Sequence, residues 1–249
     1  MTSTEAITGS WIRDGGTLRS PLLQRLGLTA GFTTRAFGSM GDATTPWEQQ
    51  QRNRTAFAQR VGFEGVARVK QVHGADVTQV DHPVLPWPEA DALWTDRRGL
   101  LIGIVAADCV PVFLAGEDGP IGIAHAGWRG TSLGVARALV RAMADGGARP
   151  GRLVAALGPS IGPCCYTVDG DRTELVRSRL GPGNDDIVAG GRMDLWAANA
   201  RQLREEGIET IESSGICTLC GGEDVWSYRG RTPDADYGTC LAFVGMPPR

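Results

Sequence analysis

The alternation of strand-like and helical segments along the chain predicts an α/β fold of mixed α+β, layered type. Two further observations support it. The runs LLIGIVAADCVPVFLAG (100–116) and PIGIAHAGW (120–128) are rich in Ile and Val and carry few charges, as buried strands do. No charged or low-complexity run divides the 249 residues, a length common for a single α/β domain. We expect a loosely held segment over 1–20 and one domain over 21–249.

Taken in order, LTAGFTTRAFGSMG (28–41) begins as a strand and becomes a Gly-rich loop that could wall a site. Strong helix formers follow Thr45 and Pro46 through Val61, which predicts a helix with Thr45 as N-cap and Pro46 at its first position. VARVKQVHGADVTQV (66–80) alternates apolar and polar residues around a Gly kink at His73, the pattern of a half-buried strand or hairpin. The two Ile/Val runs read as adjacent strands joined by the turn-like 117–119. Residues 131–144 place apolar side chains at helical spacing after a Thr or Ser cap and stop at Gly146–Gly147. A strand and turn are expected over 153–162, helices over 169–180 and 194–206, and strands over 208–213, 223–229 and 239–244.

Composition excludes several classes. With 25 Lys+Arg against 28 Asp+Glu, a net charge of -3 and no basic cluster, the chain has no electrostatic footprint for nucleic acid or an anionic membrane. No apolar stretch approaches the roughly 20 residues needed to span a bilayer, and the first residues lack a charged-then-apolar leader pattern, so a cytoplasmic protein is expected. Six cysteines are too few for a disulfide scaffold in a chain of this length. Monomer and homodimer both remain open.

Three histidines make their placement informative. Cys109 follows Asp108 at the edge of one apolar run, and His125 lies 16 residues on, at the edge of the next. If the kink at His73 reaches the same point, two imidazoles and a thiolate match a catalytic zinc with an open fourth position. Such an ion activates water or polarises a bound oxygen. The plain alternative is a buried Cys and loop histidines. Arg129, four residues after His125, is a candidate phosphate or substrate anchor because guanidinium is a permanently charged, planar fork of donors; otherwise it is a surface arginine. Asp108 could orient a ligand or act as acid or base, but it can share a pocket with Cys109 only if the strand ends or bulges there.

The remaining cysteines read more simply. Cys164 and Cys165 follow Gly162–Pro163, where a tight turn is the plain explanation and a pocket wall with Tyr166 the functional one. Cys217 and Cys220 form a CxxC that finds no second CxxC and no nearby His, so they read as structural. A cytidine-deaminase signature is absent, since it needs HxE and PCxxC. His82, between Asp81 and Pro83, reads as exposed and idle.

Together, AHAGWRG (124–130), ADCVPV (107–112), KQVHGADV (70–77) and LGPSIGPCCYTV (157–168), with TTR (33–35), DALWTD (91–96), DLWAANARQL (194–203), ICTLC (216–220) and SYR (227–229), resemble the YfiH family. This family is also called the multicopper polyphenol oxidase or laccase-domain family, and its purine nucleoside phosphorylase-like members include the peptidoglycan editing factor. The resemblance covers nearly the whole chain in family order. It implies a single three-layer domain with a mixed sheet and a metal held by His73, Cys109 and His125. The metal implied is zinc, with copper as the alternative. The implied activity is phosphorolysis of adenosine, inosine and methylthioadenosine, with adenosine deamination as a second activity, and the implied partners are purine nucleosides and phosphate. Phosphorolysis needs cationic or metal groups for phosphate and a donor for the departing base, for which Arg35 in TTR and Arg229 in SYR join Arg129 as candidates.

Rival readings are a peptidoglycan-precursor editing hydrolase at the same His/Cys/His site, a copper-dependent polyphenol oxidase, and a binding module with a structural metal. The chain departs from the family's pattern after Arg35, where only residues 36–52 stand for a longer stretch with Ser-Leu-Asn-Leu and a further His. Trp94, with Trp47 and Trp87, offers aromatic surface for a purine or simple packing.

Overall fold

The computed structural model describes residues 7–8, 11–41, 44–117, 119–181, 183–232 and 237–248. The chain runs β1 (Ile7–Thr8), β2 (Ile12–Asp14), β3 (Thr17–Arg19), α1 (Pro21–Arg25), β4 (Thr29–Thr33), α2 (Trp47–Arg60), β5 (Val66–Ala67), β6 (Val77–Gln79), β7 (Ala92–Thr95), β8 (Leu101–Ala106), β9 (Val110–Gly116), β10 (Ile121–Ala126), α3 (Trp128–Leu133) and α4 (Val135–Asp145). It continues with β11 (Leu153–Leu157), α5 (Gly170–Leu180), β12 (Val188–Ala189), β13 (Arg192–Met193), α6 (Leu195–Glu205), β14 (Thr210–Ser213) and β15 (Cys240–Gly245).

The mixed α/β class is as expected, with two main sheets where the sequence reading has one. The first has the order β1-β14-β11-β9-β10-β7-β6 and the second β2-β3-β4-β15-β8-β5, while β12 and β13 form a separate ribbon. Each main sheet mixes parallel and antiparallel pairs. Alternation along β9 explains how two sheets pack. Val112 and Leu114 face α4 and α6, whereas Phe113 and Ala115 face the second sheet, as a period of two requires when both faces are covered. On the outer face of the second sheet, Phe57 of α2 packs edge-on against Phe243 of β15 at 4.7 Å. Three apolar interfaces therefore separate four layers.

Several expectations are corrected by where backbone hydrogen bonds go. Residues 66–80 do not form a hairpin: β5 joins the second sheet and β6 the first, because the backbone N–H groups of residues 72–74 bond to the Asp91 carboxylate instead of a ladder. The run 100–116 is two strands, β8 and β9, in different sheets, and 107–109 carries the chain across. The β9–β10 hairpin forms as expected; residue 118 of its turn lies outside the described residues. The helix expected from 131 begins at Trp128 and breaks at Gly134, whose φ of 83° caps α3 before α4 starts, a conformation glycine adopts without steric cost. Helix α2 is capped by Pro46 and not by Thr45.

Residues 223–229 form no strand, since the N–H of Arg229 is given to Asp108 and the carbonyl of Asp224 to the N–H of Arg35. At the start of the chain, β1 extends the first sheet and β2 and β3 the second, so the described part of 1–20 is woven into both sheets. Ser20 caps α1 and bonds to the buried Glu212 of β14. Residues 1–6 and 9–10 lie outside the described residues.

The expected helices at 169–180 and 194–206 appear as α5 and α6, each capped by the aspartate before it. Leu139 of α4 is fully buried in the layer between helices and first sheet. Leu139→Ala is expected to lower the free energy of unfolding by about 2–5 kcal/mol through lost transfer energy and a residual cavity, measured by urea denaturation.

Candidate active site and metal centre

Three segments meet at the edge shared by the two sheets. The first is the loop at Gln71–Gly74, the second the crossover Ala107–Cys109, and the third the end of β10 running through Gly127 into α3. In β10, His125 shares its face with Ile121 and Ile123, which look toward the second sheet. Asp108 has φ 87° and His73 φ 61°, left-handed conformations that cost energy in a non-glycine residue and persist where surrounding structure enforces them. The bend at Asp108 answers the condition set by strand alternation. Because β8 has ended and β9 has not begun, Asp108 and Cys109 both face one cavity.

The enforcing group at His73 is Asp91, which has no solvent exposure. Its carboxylate accepts the backbone N–H groups of Val72 at 3.0 Å, His73 at 3.0 Å and Gly74 at 2.6 Å, and lies 2.9 Å from Nδ1 of His125. That bond orients the His125 ring, leaving Nε2 for the cavity, as partners behind metal-binding histidines do. The rings of His73 and His125 stand edge to face at 4.8 Å. Donor atoms of His73, Cys109 and His125 lie within 4.8 Å of one another. A Cβ at Gly127 would come 2.7 Å from the Cys109 sulfur, so only glycine leaves that sulfur its place. Two imidazoles and one thiolate, with an outer carboxylate, are a donor set that fits zinc with an open coordination position.

Electrostatics favour the ligand state of the sulfur. Burial alone would raise the Cys109 thiol, but the His125 and His73 rings beside it bring it down to about 6. Burial also opposes protonation of His125; the Cys109 sulfur and the Asp91 carboxylate outweigh it and carry that ring up to about 10. In Asp91 too, burial is outweighed, here by the hydrogen bonds from His125, Gly74 and Val72, which hold the carboxyl below its usual range. These opposite shifts favour a thiolate beside an imidazolium.

The cavity above these residues measures about 660 Å³, within the range of small-molecule sites. Arg129, Arg172 and Arg229 line it together with Trp128, Tyr166 and Tyr228. The Arg129 and Arg172 guanidinium groups lie 5.2 Å and 4.9 Å from the Trp128 ring centre, and that of Arg229 lies 5.2 Å from Tyr166. Arg129 and Arg229 make no ion pair among the described residues, and the buried Nε of Arg172 has no hydrogen-bond partner there. Asp108 accepts from the Thr218 hydroxyl at 2.6 Å and from the Arg229 N–H at 2.7 Å, one on each oxygen.

Of the residues singled out in the sequence, His73, Cys109, His125, Asp108, Arg129 and Arg229 converge. Arg35 does not. Its Nε donates to the Val225 carbonyl at 3.0 Å and its guanidinium stacks 4.4 Å over Trp226, which holds it outside the cavity lining. Trp94 is buried beneath α4 against Gly146, and Trp47 and Trp87 stack on each other beside Arg54; none of the three lines the cavity. Loop residues 42 and 43 lie outside the described residues, while Gly41 reaches the cavity wall. His82 is exposed beside Asp81. Sequence reasoning missed Asp91 and Arg172. Arg172 carries one signal, a cation in the first turn after the Asp169 cap, where the helix dipole disfavours positive charge.

Two outcomes follow from this geometry. Asp91→Asn turns one carboxylate oxygen into a donor facing N–H groups and is expected to weaken zinc binding about 10–100-fold, read by competition with a chromophoric chelator. In metal-stripped protein, Cys109 is expected to alkylate rapidly at pH 7 and slowly below pH 6, because its thiolate forms as pH rises through about 6, whereas Cys164, pushed up to about 12, stays a thiol; peptide mapping by mass spectrometry separates them.

A family model described as multi-copper polyphenol oxidoreductase laccase matches residues 30–247. A purine nucleoside phosphorylase from Deinococcus radiodurans is 36% identical over 249 aligned residues, covering 93% of each chain. The purine nucleoside phosphorylase YlmD from Geobacillus stearothermophilus is 33% identical, covering 88% of this chain and 90% of that one. The crystal structure of YlmD superposes with a TM-score of 0.85 over 96% of this chain and 99% of its own, at 30% identity. That of the Bacillus licheniformis hypothetical protein YfiH gives 0.79 over 94% and 97%, at 28% identity. On the length of the family match and the shared fold, the chain belongs to the multi-copper polyphenol oxidoreductase laccase family.

Proposed function

We propose that the protein is a zinc-dependent purine nucleoside phosphorylase acting at the His73/Cys109/His125 centre. The observation that carries this reading is the meeting, in one cavity, of a three-donor metal set with three guanidinium groups. Phosphorolysis brings a multiply charged anion to the anomeric carbon of a nucleoside, where positive charge develops as the purine departs. Arg129 and Arg172, both close to the Trp128 ring, take the phosphate oxygens as planar, permanently charged donors. The unpartnered Nε of Arg172 is a donor waiting for an acceptor. Arg229 closes the anion site from the Tyr166 side, and the exposed Tyr228 ring offers the purine a stacking surface. The ion would supply Lewis-acid polarisation of a bound oxygen.

Asp108 acts in this scheme as a positioning residue and not as the acid or base. Both of its oxygens already accept hydrogen bonds, and through them it fixes Arg229 and the 216–220 loop around the cavity. Arg35, engaged with Val225 and Trp226, takes no part. Relatives named as purine nucleoside phosphorylases support the substrate class. Adenosine deamination is assigned as a second activity of the same centre. A multi-copper oxidase is not favoured: beyond the set, the third histidine of the chain, His82, does not line the cavity.

The test is chromatographic assay of inosine and adenosine with and without phosphate. Hypoxanthine and adenine are expected only with phosphate, and Cys109→Ala is expected to abolish both the release and the metal held at the His73/Cys109/His125 centre. Arg129→Ala is expected to lower kcat/KM for phosphate about 10–100-fold, from loss of a charged hydrogen bond of about 1.5–3 kcal/mol. Inosine formed from adenosine without phosphate reports the deaminase activity. No turnover of either nucleoside by metal-replete protein overturns the proposal and favours cell-wall precursor hydrolysis.

A further inference from the structure

We propose that Cys164, Cys165, Cys217 and Cys220 form a second metal site, a closed tetrathiolate centre for zinc that clamps two walls of the cavity. Taken along the sequence, the CxxC lacks a partner. In the fold, the loop after β11 and the loop after β14 run side by side: the N–H of Ser160 bonds to the Ile216 carbonyl at 3.2 Å and the N–H of Thr218 to the Ser160 carbonyl at 2.9 Å. This brings the vicinal pair onto the CxxC, with all four sulfurs within 4.8 Å of one another and those of Cys164 and Cys220 at 3.5 Å. Tetrahedral zinc with Zn–S of about 2.3 Å holds its sulfurs roughly 3.8 Å apart, so the cluster needs little adjustment to accept the ion.

The local backbone is shaped for this role. Adjacent side chains diverge in a strand, but residues 162–166 form a tight turn in which the N–H groups of Cys165 and Tyr166 both bond to the Gly162 carbonyl at 2.9 Å, so Cys164 and Cys165 turn to one side. The buried Cys217 sulfur accepts the N–H of Gly162 at 3.3 Å and faces those of Leu219 and Cys220. Donors around a sulfur stabilise it as thiolate and leave its remaining lone pairs for a cation. Arg192 bonds to the Cys164 carbonyl, placing a positive charge beside a centre that four thiolates and one divalent ion leave negative. A single disulfide would account for two of these cysteines; convergence of all four is what a four-ligand structural site requires.

One clamped loop carries a cavity residue and the other holds one. Tyr166 follows Cys165, and Thr218, between the cysteines of the CxxC, donates to Asp108 at 2.6 Å. The ion would fix the spacing of these walls without meeting substrate.

The experiment measures metal in intact chains purified under reductant. Wild-type protein is expected to hold two zinc ions per chain and Cys109→Ala one. Cobalt exchanged into Cys109→Ala is expected to give the intense visible bands of tetrahedral cobalt and a sulfur-to-cobalt charge-transfer band of four-thiolate strength. Cys164→Ser, at an exposed position, should still fold and bind that ion at least 10-fold more weakly. The proposal is overturned if Cys109→Ala, reduced and supplied with zinc, retains none, or if its cobalt spectrum lacks the four-thiolate band. A metal-free chain isolated with Cys164 joined to Cys220 as a disulfide that reduction and zinc do not convert also overturns it. The spectrum separates this site from the two-imidazole centre, so failure here leaves the phosphorylase reading standing.

Discussion

A single buried carboxylate holds the centre together. Asp91, on the approach to β7, gathers three consecutive backbone N–H groups from the 72–74 loop and the Nδ1 edge of His125 from β10. A carboxylate without solvent must be compensated on every side, and here the compensation is the architecture of the site. The N–H groups can converge only if His73 takes its left-handed turn, and that turn carries the His73 ring to within 4.8 Å of the His125 ring. Cys109 then completes the set from the opposite side, its thiolate stabilised by the rings that Asp91 has oriented.

The site's location follows from the way two sheets share the chain. β8 and β9 are consecutive in sequence but lie in different sheets, and the three residues between them must cross the seam. Asp108 and Cys109 sit on that crossing. Packing between the sheets is apolar along Phe113, Ile121, Ile123, Ile102 and Ile104 and gives way at the strand ends, where the polar loops leave a cavity. Gly127 keeps the thiolate accessible by omitting a side chain at the closest approach.

Charge is sorted by depth. Asp108 and Cys109 line the cavity deep in the fold with the fully buried Asp91 behind His125, while the more exposed Arg129, Arg172 and Arg229 line its walls. The second cysteine cluster supports this arrangement from behind, since the loops it joins carry Tyr166 and the Thr218 hydroxyl that holds Asp108.

What the sequence determined by itself were the features encoded within a short stretch of chain. The helices at α5 and α6, the β9–β10 hairpin and the candidate ligands His73, Cys109 and His125 could be read there, because helical spacing, alternation and scarce residue types are local signals. The tertiary structure alone decided the division into two sheets, the Asp91 hub, the exclusion of Arg35 and the meeting of Cys164–Cys165 with Cys217–Cys220. Each of these depends on loops brought together across long separations: 17 residues from Gly74 to Asp91, 190 from Arg35 to Val225 and 56 from Cys164 to Cys220. No periodicity or spacing encodes such pairings, since they exist only once burial of the apolar faces has set which strands are neighbours.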